Sequence, residues 1–115
     1  MQRNLCAYLQ DVLDGADAIK RFATGCSFEE FSTNDVINSA IRYKFEIIGE
    51  SLKQASRLFP EEIAELPDAK AAIQQRDRIA HGYFSIDPKV LWNSLHEDLP
   101  KLVDQVKKLK AIHCE

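Results

Sequence analysis

The sequence predicts an all-α protein, an up-and-down bundle of four main helices with short helical turns between them. Apolar residues recur at helical spacing through four long stretches, capping residues, prolines and glycines bound those stretches, and none shows the strict alternation of a half-buried strand. With 115 residues, 45% of them hydrophobic, the chain can bury one core, and a single domain over residues 1–115 is expected. Long amphipathic helices packed pairwise in so short a chain leave an apolar face over. A homodimer is therefore the expected state.

The first helix runs from about Arg3 to Phe22, with Leu5, Leu9, Val12, Leu13, Ala16 and Ile19 on one face, and Thr24-Gly25 stops it. Ser27-Phe28-Glu29-Glu30 reads as a capping box opening a short turn. After a second cap at Ser32-Thr33-Asn34-Asp35, the stretch from about Asn34 to Phe59 carries Val36, Ile37, Ala40, Ile41, Phe45, Ile48, Leu52, Ala55 and Phe59 as one stripe. Pro60 ends it, because proline has no amide hydrogen and disfavours helical geometry in the residue before it. Pro67-Asp68 opens a third helix with proline in its first turn, and Gly82 closes that helix just after His81. Asp87-Pro88 caps the last helix, which runs to about Ile112 and is expected to kink near His96 because Pro100 cannot donate to the carbonyl four residues back.

Composition excludes several classes. A formal charge of −3 is wrong for a protein that coats nucleic acid through many phosphate contacts, so any RNA binding has to come from a local basic cluster. The amino terminus lacks the apolar run of a signal peptide and no stretch approaches the roughly 20 apolar residues of a membrane span, which leads to the expectation of a cytoplasmic protein without a membrane partner. Cys6, Cys26 and Cys114 are odd in number and lack CxxC spacing, so reduced thiols are expected, with no metal and no cofactor.

The chemistry gathers in Arg76-Asp77-Arg78-Ile79-Ala80-His81-Gly82-Tyr83. Asp77 and His81 are four apart on one helix face, where a carboxylate can fix the imidazole tautomer. Arg76 precedes His81 by five residues, about 140° round the helix, so the two flank a groove. Such a pair suits a phosphate: the guanidinium binds non-bridging oxygens while the histidine moves a proton to or from a ribose hydroxyl or a leaving oxygen. Arg78 points about 200° away from Arg76 and adds positive potential at most. Glu46 and Glu50 share a face with Arg42, where solvated pairs are expected, and Lys53, Arg57, Lys70 and Lys89 extend a basic surface. Read alone, these residues fit an ordinary surface network at a helix end somewhat better than a catalytic site, and do not settle function.

The run from Arg76 to Asp87 resembles the RxxxxHxY signature of HEPN domains, specifically their HepT-like toxin branch. Ile47-Ile48-Gly49-Glu50-Ser51 resembles the family's Ile-Gly-Glu stretch, and Trp92 with Asp98-Leu99-Pro100 its last helix, so the resemblance covers nearly the whole chain. Where the family usually carries asparagine after the arginine, this chain has Asp77, a charge able to hold Arg76 or His81. The resemblance implies a metal-independent ribonuclease of a toxin–antitoxin pair, active as a homodimer with the two motifs meeting at the interface. It assigns Arg76 to transition-state charge, His81 to general acid or base work, and Tyr83 to AMPylation by a minimal nucleotidyltransferase antitoxin. A non-catalytic interaction or nucleotide-binding module paired with such a nucleotidyltransferase is the competing expectation; a plain helical scaffold would leave His81 and Tyr83 without a purpose.

Overall fold

Short polar side chains set where the helices begin. Asn4 accepts from the Ala7 amide at 2.8 Å and opens α1 (Leu5–Ala23). Ser27 and Glu30 form a reciprocal capping box at the head of α2 (Phe28–Thr33). Asn34 accepts from the amides of Val36 and Ile37 and starts α3 (Asp35–Leu58). Each cap satisfies amides that a helix start leaves without an intrahelical acceptor. Between α1 and α2 the chain turns on Gly25, whose φ of +73° is open to glycine at no steric cost.

The computed structural model describes residues 3–82 and 86–114, and there is no strand among them. Pro60 ends α3 as expected and at once opens the single turn α4 (Pro60–Ile63), since a missing amide hydrogen costs nothing at a first helical position. Pro67 sits differently from expectation: it and Asp68 form a turn, and α5 (Ala69–Gly82) begins after them. Asp87 caps α6 (Pro88–Asn93) through the Lys89 amide at 2.9 Å. The strain expected from Pro100 is resolved by widening. Ser94–Asp98 form a π-helical turn in which the Leu99 amide reaches back to the Ser94 carbonyl, and α7 (Leu99–His113) continues from there.

Helix α3 lies between α1 and α5, and α7 lies against α1. Leu9, Val12 and Ile19 of α1, Ile41 and Leu52 of α3, and Val106 of α7 are fully buried, each worth about 1.5–3 kcal/mol by transfer from water. At the middle of the bundle a Cβ on Gly15 would stand 2.9 Å from Ile48 Cγ1, so α1 crosses α3 closely there. Trp92 of α6 ties in α2 through Phe31 and Phe28, at ring separations of 5.3 and 5.9 Å. No helix among the described residues is long and apolar enough to cross a membrane.

Helix α5 is attached in another way. Its buried apolar residues are Ala69 and Ile79, with Ala72 and Ile73 half-buried. Its seam with the last helix is closed by amides: Gln105 donates to the Asp68 carboxylate at 2.8 Å and accepts from the Asp68 amide at 3.2 Å, while Gln75 donates to Ser94 Oγ at 2.9 Å.

The expectation of three reduced thiols is corrected. Cys6 and Cys114 form a disulfide with a Cα separation of 5.9 Å, and Cys26 is free. Helices α1 and α7 run antiparallel, as the Gln10–Lys110 hydrogen bond also shows, so the two chain ends meet although 108 residues separate these cysteines. A cross-link closing so long a loop restricts the unfolded chain strongly. We expect Cys6→Ser to lower stability by about 2–4 kcal/mol in oxidising buffer. Denaturant melts with and without reductant check this, since with reductant the two proteins should coincide.

Candidate active site

Helix α5 carries the motif, and its depth against α3 is set by Gly49. A Cβ at that position would fall 2.1 Å from Arg76 Cβ, 2.8 Å from its Cγ and 2.9 Å from the Ala72 carbonyl oxygen. Any other side chain would push the helices apart. The base of Arg76 thus rests on the backbone of α3, and only 20% of its side chain is exposed.

From that base the guanidinium meets two carboxylates. Arg76 Nη2 lies 3.1 Å from Glu50 Oε2 across the seam, and Nη1 lies 3.1 Å from Asp77 Oδ1 on its own helix. Asp77 also faces Lys53 Nζ at 3.5 Å, so the four side chains alternate in charge along the α3–α5 seam. Arg76 Nε is buried without a hydrogen-bond partner among the described residues. A guanidinium has five N–H donors, so each terminal nitrogen keeps a second N–H beyond its contact here. Those are the donors able to meet a phosphate.

The hydrogen bond from Arg76 holds the Asp77 carboxyl below the usual carboxylate range, against the pull of partial burial, and Lys53 adds to the lowering. The stabilisation this represents is present above the ordinary aspartate range and is lost as pH falls through the lowered value.

Two expectations are corrected by this arrangement. Among the described residues Asp77 pairs with Arg76 and Lys53, not with His81, because its carboxylate faces α3. Glu50, expected in a solvated pair with Arg42, instead turns to Arg76 and takes a second hydrogen bond from Gln54 Nε2 at 2.9 Å. Lys53 belongs to the same network, whereas Arg57, Lys70 and Lys89 are exposed.

His81 is exposed in the last turn of α5. Five residues past Arg76, it stands roughly 7.5 Å further along the helix axis. Arg78 is exposed on another side, where it lines a cavity of about 250 Å³ between α3, α5 and the last helix with Gln75, Ser94 and Asp98. Tyr83 lies outside the described residues. The structure therefore brings Arg76 and Asp77 together, joins them to Glu50 and Lys53, and sends Arg78 elsewhere.

A helical bundle that seats an arginine in an inter-helix seam, one and a half turns before a histidine at a helix end, is consistent with a small helical domain of HEPN type. The chain belongs to the HepT-like family: the family model described as Ribonuclease HepT-like matches residues 12–109. "Probable ribonuclease HepT" of Thermococcus cleftensis is 33% identical over 110 residues, covering 96% of this chain and 99% of that protein. "Putative RNase MJ1380" of Methanocaldococcus jannaschii is 32% identical over 106 residues, 92% of this chain and 96% of that protein. "Putative RNase TTE0752" of Caldanaerobacter subterraneus subsp. tengcongensis is 30% identical over 102 residues, 89% and 90% of the two chains. No solved structure matches the chain.

Gly49→Ala should destabilise the protein by about 1–3 kcal/mol, the usual cost of overpacking, because backbone and Arg76 Cβ are what the new methyl meets. Urea denaturation monitored by circular dichroism measures it; an unchanged midpoint would show that α5 does not need this approach.

Proposed function

We propose that the chain is a metal-independent endoribonuclease, acting as a homodimer within a toxin–antitoxin pair, with Arg76 and His81 as its catalytic residues. The observation that carries this reading is the seat of Arg76: pinned on α3 by Gly49 and Glu50, it keeps N–H donors on both terminal nitrogens while its Nε is buried. The family and the names of its relatives support the choice of RNA as substrate.

In the reaction a ribose 2′-hydroxyl attacks the adjacent phosphorus, and the 5′-oxygen leaves. His81, in contact with solvent at the helix end, takes or gives the proton that this exchange requires. Arg76 binds the equatorial oxygens as charge grows on them. A second copy of the chain would bring a second Arg76 and His81 to the same substrate, in keeping with the twofold interfaces of most small homo-oligomers.

The reading is tested on total cellular RNA with the purified chain. Cleavage should persist in EDTA, and Arg76→Ala or His81→Ala should each lower the rate by about 10²-fold or more, in the range of general acid–base and charge-stabilising groups. Activity lost in EDTA and restored by a divalent ion overturns metal independence; undiminished cleavage by both variants overturns the site.

Control by a partner is the second part of the proposal. Attack of the Tyr83 phenol on the α-phosphate of ATP, catalysed by a minimal nucleotidyltransferase, would release pyrophosphate and leave a phosphodiester anion two residues from His81. Tethered there, the nucleotide would occupy the place of RNA beside Arg76 and His81 by proximity, without needing tight binding of its phosphate. Intact mass after incubation with the partner and ATP should rise by whole AMP units in the wild type and stay unchanged in Tyr83→Phe.

One observation favours a second reading, an interaction or nucleotide-binding module that pairs with the nucleotidyltransferase and cuts nothing. Asp77 occupies Nη1 of Arg76 and Glu50 occupies Nη2, which offsets the arginine's charge. The cleavage assay separates the two, since a module leaves RNA intact.

A further inference from the structure

We infer that Glu50 is the positioning residue of this site, aiming Arg76 from the facing helix; the inference rests on the ribonuclease reading above. Among the described residues, Glu50 provides the one ion pair that fixes Arg76 to a helix other than its own. Asp77, the neighbouring residue on α5, moves with Arg76 and cannot by itself set where the guanidinium stands relative to α3. Its link to α3 runs through Lys53 at 3.5 Å, a longer contact made by a flexible ammonium.

Glu50 is itself held. Its Oε1 takes the hydrogen bond from Gln54 one turn on along α3, and its Oε2 takes Arg76 Nη2, so the carboxylate plane is set at both oxygens. Directly before it, Gly49 removes the side chain that would keep α5 away. The neighbouring positions thus act on two parts of one residue: Gly49 admits the base of Arg76, and Glu50 orients its tip. Because Nε is buried and unpartnered, the guanidinium has no alternative anchor on that edge, and its rotation is governed by the two carboxylates.

This division of labour separates rate from affinity. Removing Glu50 leaves Arg76 attached to α5 and takes away a negative charge, so RNA should bind as well as before or better, while the guanidinium loses the place from which it meets the developing charge. A clamp that merely restrained Arg76 would give the opposite, a faster enzyme.

The test uses the full chain, an RNA that the wild type cuts, and the same RNA with a 2′-deoxy nucleotide at the scissile position as the binding probe. Glu50→Ala should cleave at saturation about tenfold or more slower, as expected for a misplaced catalytic group, with the Kd for the deoxy RNA unchanged or lower. Glu50→Gln, whose amide oxygen still accepts from Nη2 while Gln54 turns its own amide to match, should recover to within about threefold of wild type. Glu50→Met, equal in length and with only a weak thioether acceptor, keeps the aliphatic stem in place and repeats the loss should the alanine variant fail to fold. Cleavage by Glu50→Ala or Glu50→Met at the wild-type rate or faster overturns the inference. So does a rate loss accompanied by an equal loss of deoxy RNA binding. If instead Arg76→Ala cuts as fast as wild type, it is the ribonuclease site itself that fails, which sets that failure apart from a failure of Glu50 alone.

Discussion

The close approach of α5 to α3 at Gly49 governs the rest of the site. With a Cβ there the two helices would have to separate, and Arg76 would swing out toward solvent with the rest of α5. With glycine, the stem of Arg76 packs on backbone and its Nε leaves water without gaining an acceptor. A buried donor of that kind costs about 1–3 kcal/mol. The two ion pairs that Arg76 makes involve carboxylates that are 40% exposed, and such pairs are worth about 0–1 kcal/mol each after solvent screening. The ion pairs therefore do not hold the helices together. Packing does, with α5 lying along α3 and burying Ala69 and Ile79, and the arginine site is carried on that contact as a local cost.

That ordering explains why α5 differs from its neighbours. Helices α1 and α3 each present a continuous apolar stripe to the core, whereas α5 buries little beyond Ala69 and Ile79 and closes its outer seam with Gln75, Asp68 and their partners Ser94 and Gln105. A helix tied in by hydrogen bonds keeps a fixed register without a deep apolar face, because each amide has one geometry that satisfies it. The polar face that results is where the motif residues stand.

The features legible in the sequence are those set within one turn of chain. Ser27 with Glu30, Asn34 and Asp87 announce helix starts because a cap and the amide it satisfies are two or three residues apart. Pro100 announced a disturbance near His96, and its form, a π turn, is the local way to lose one donor without breaking the helix. The Arg76 to His81 cluster was visible by its density of polar groups. What escaped depends on contacts between distant residues. Glu50 reads as one more helix-surface carboxylate, since nothing in α3 says that Arg76, 26 positions on, will come to it. Gly49 has no cap or turn to explain it within α3; its reason lies on α5. Cys6 and Cys114 read as unpaired thiols in the sequence because their spacing matches no local motif, while the antiparallel packing of the first and last helices makes them neighbours.

The charge arrangement bears on how such a site would discriminate. Lys53, Asp77, Arg76 and Glu50 alternate in sign and sum to zero, within a chain that is acidic overall. The seam is therefore no strong attractor for a phosphodiester that carries a single negative charge, and the ground state gains little from Arg76. On the ribonuclease reading a second negative charge develops on the equatorial oxygens during attack, and Nη1 and Nη2 each keep an N–H with which to meet it. Interactions that grow between ground state and transition state raise the rate without tightening the substrate. On that reading the carboxylates beside the arginine would serve catalysis instead of opposing it: they lower its attraction for RNA at rest and hold the guanidinium from two sides, so that its pull is felt most by the species of highest charge.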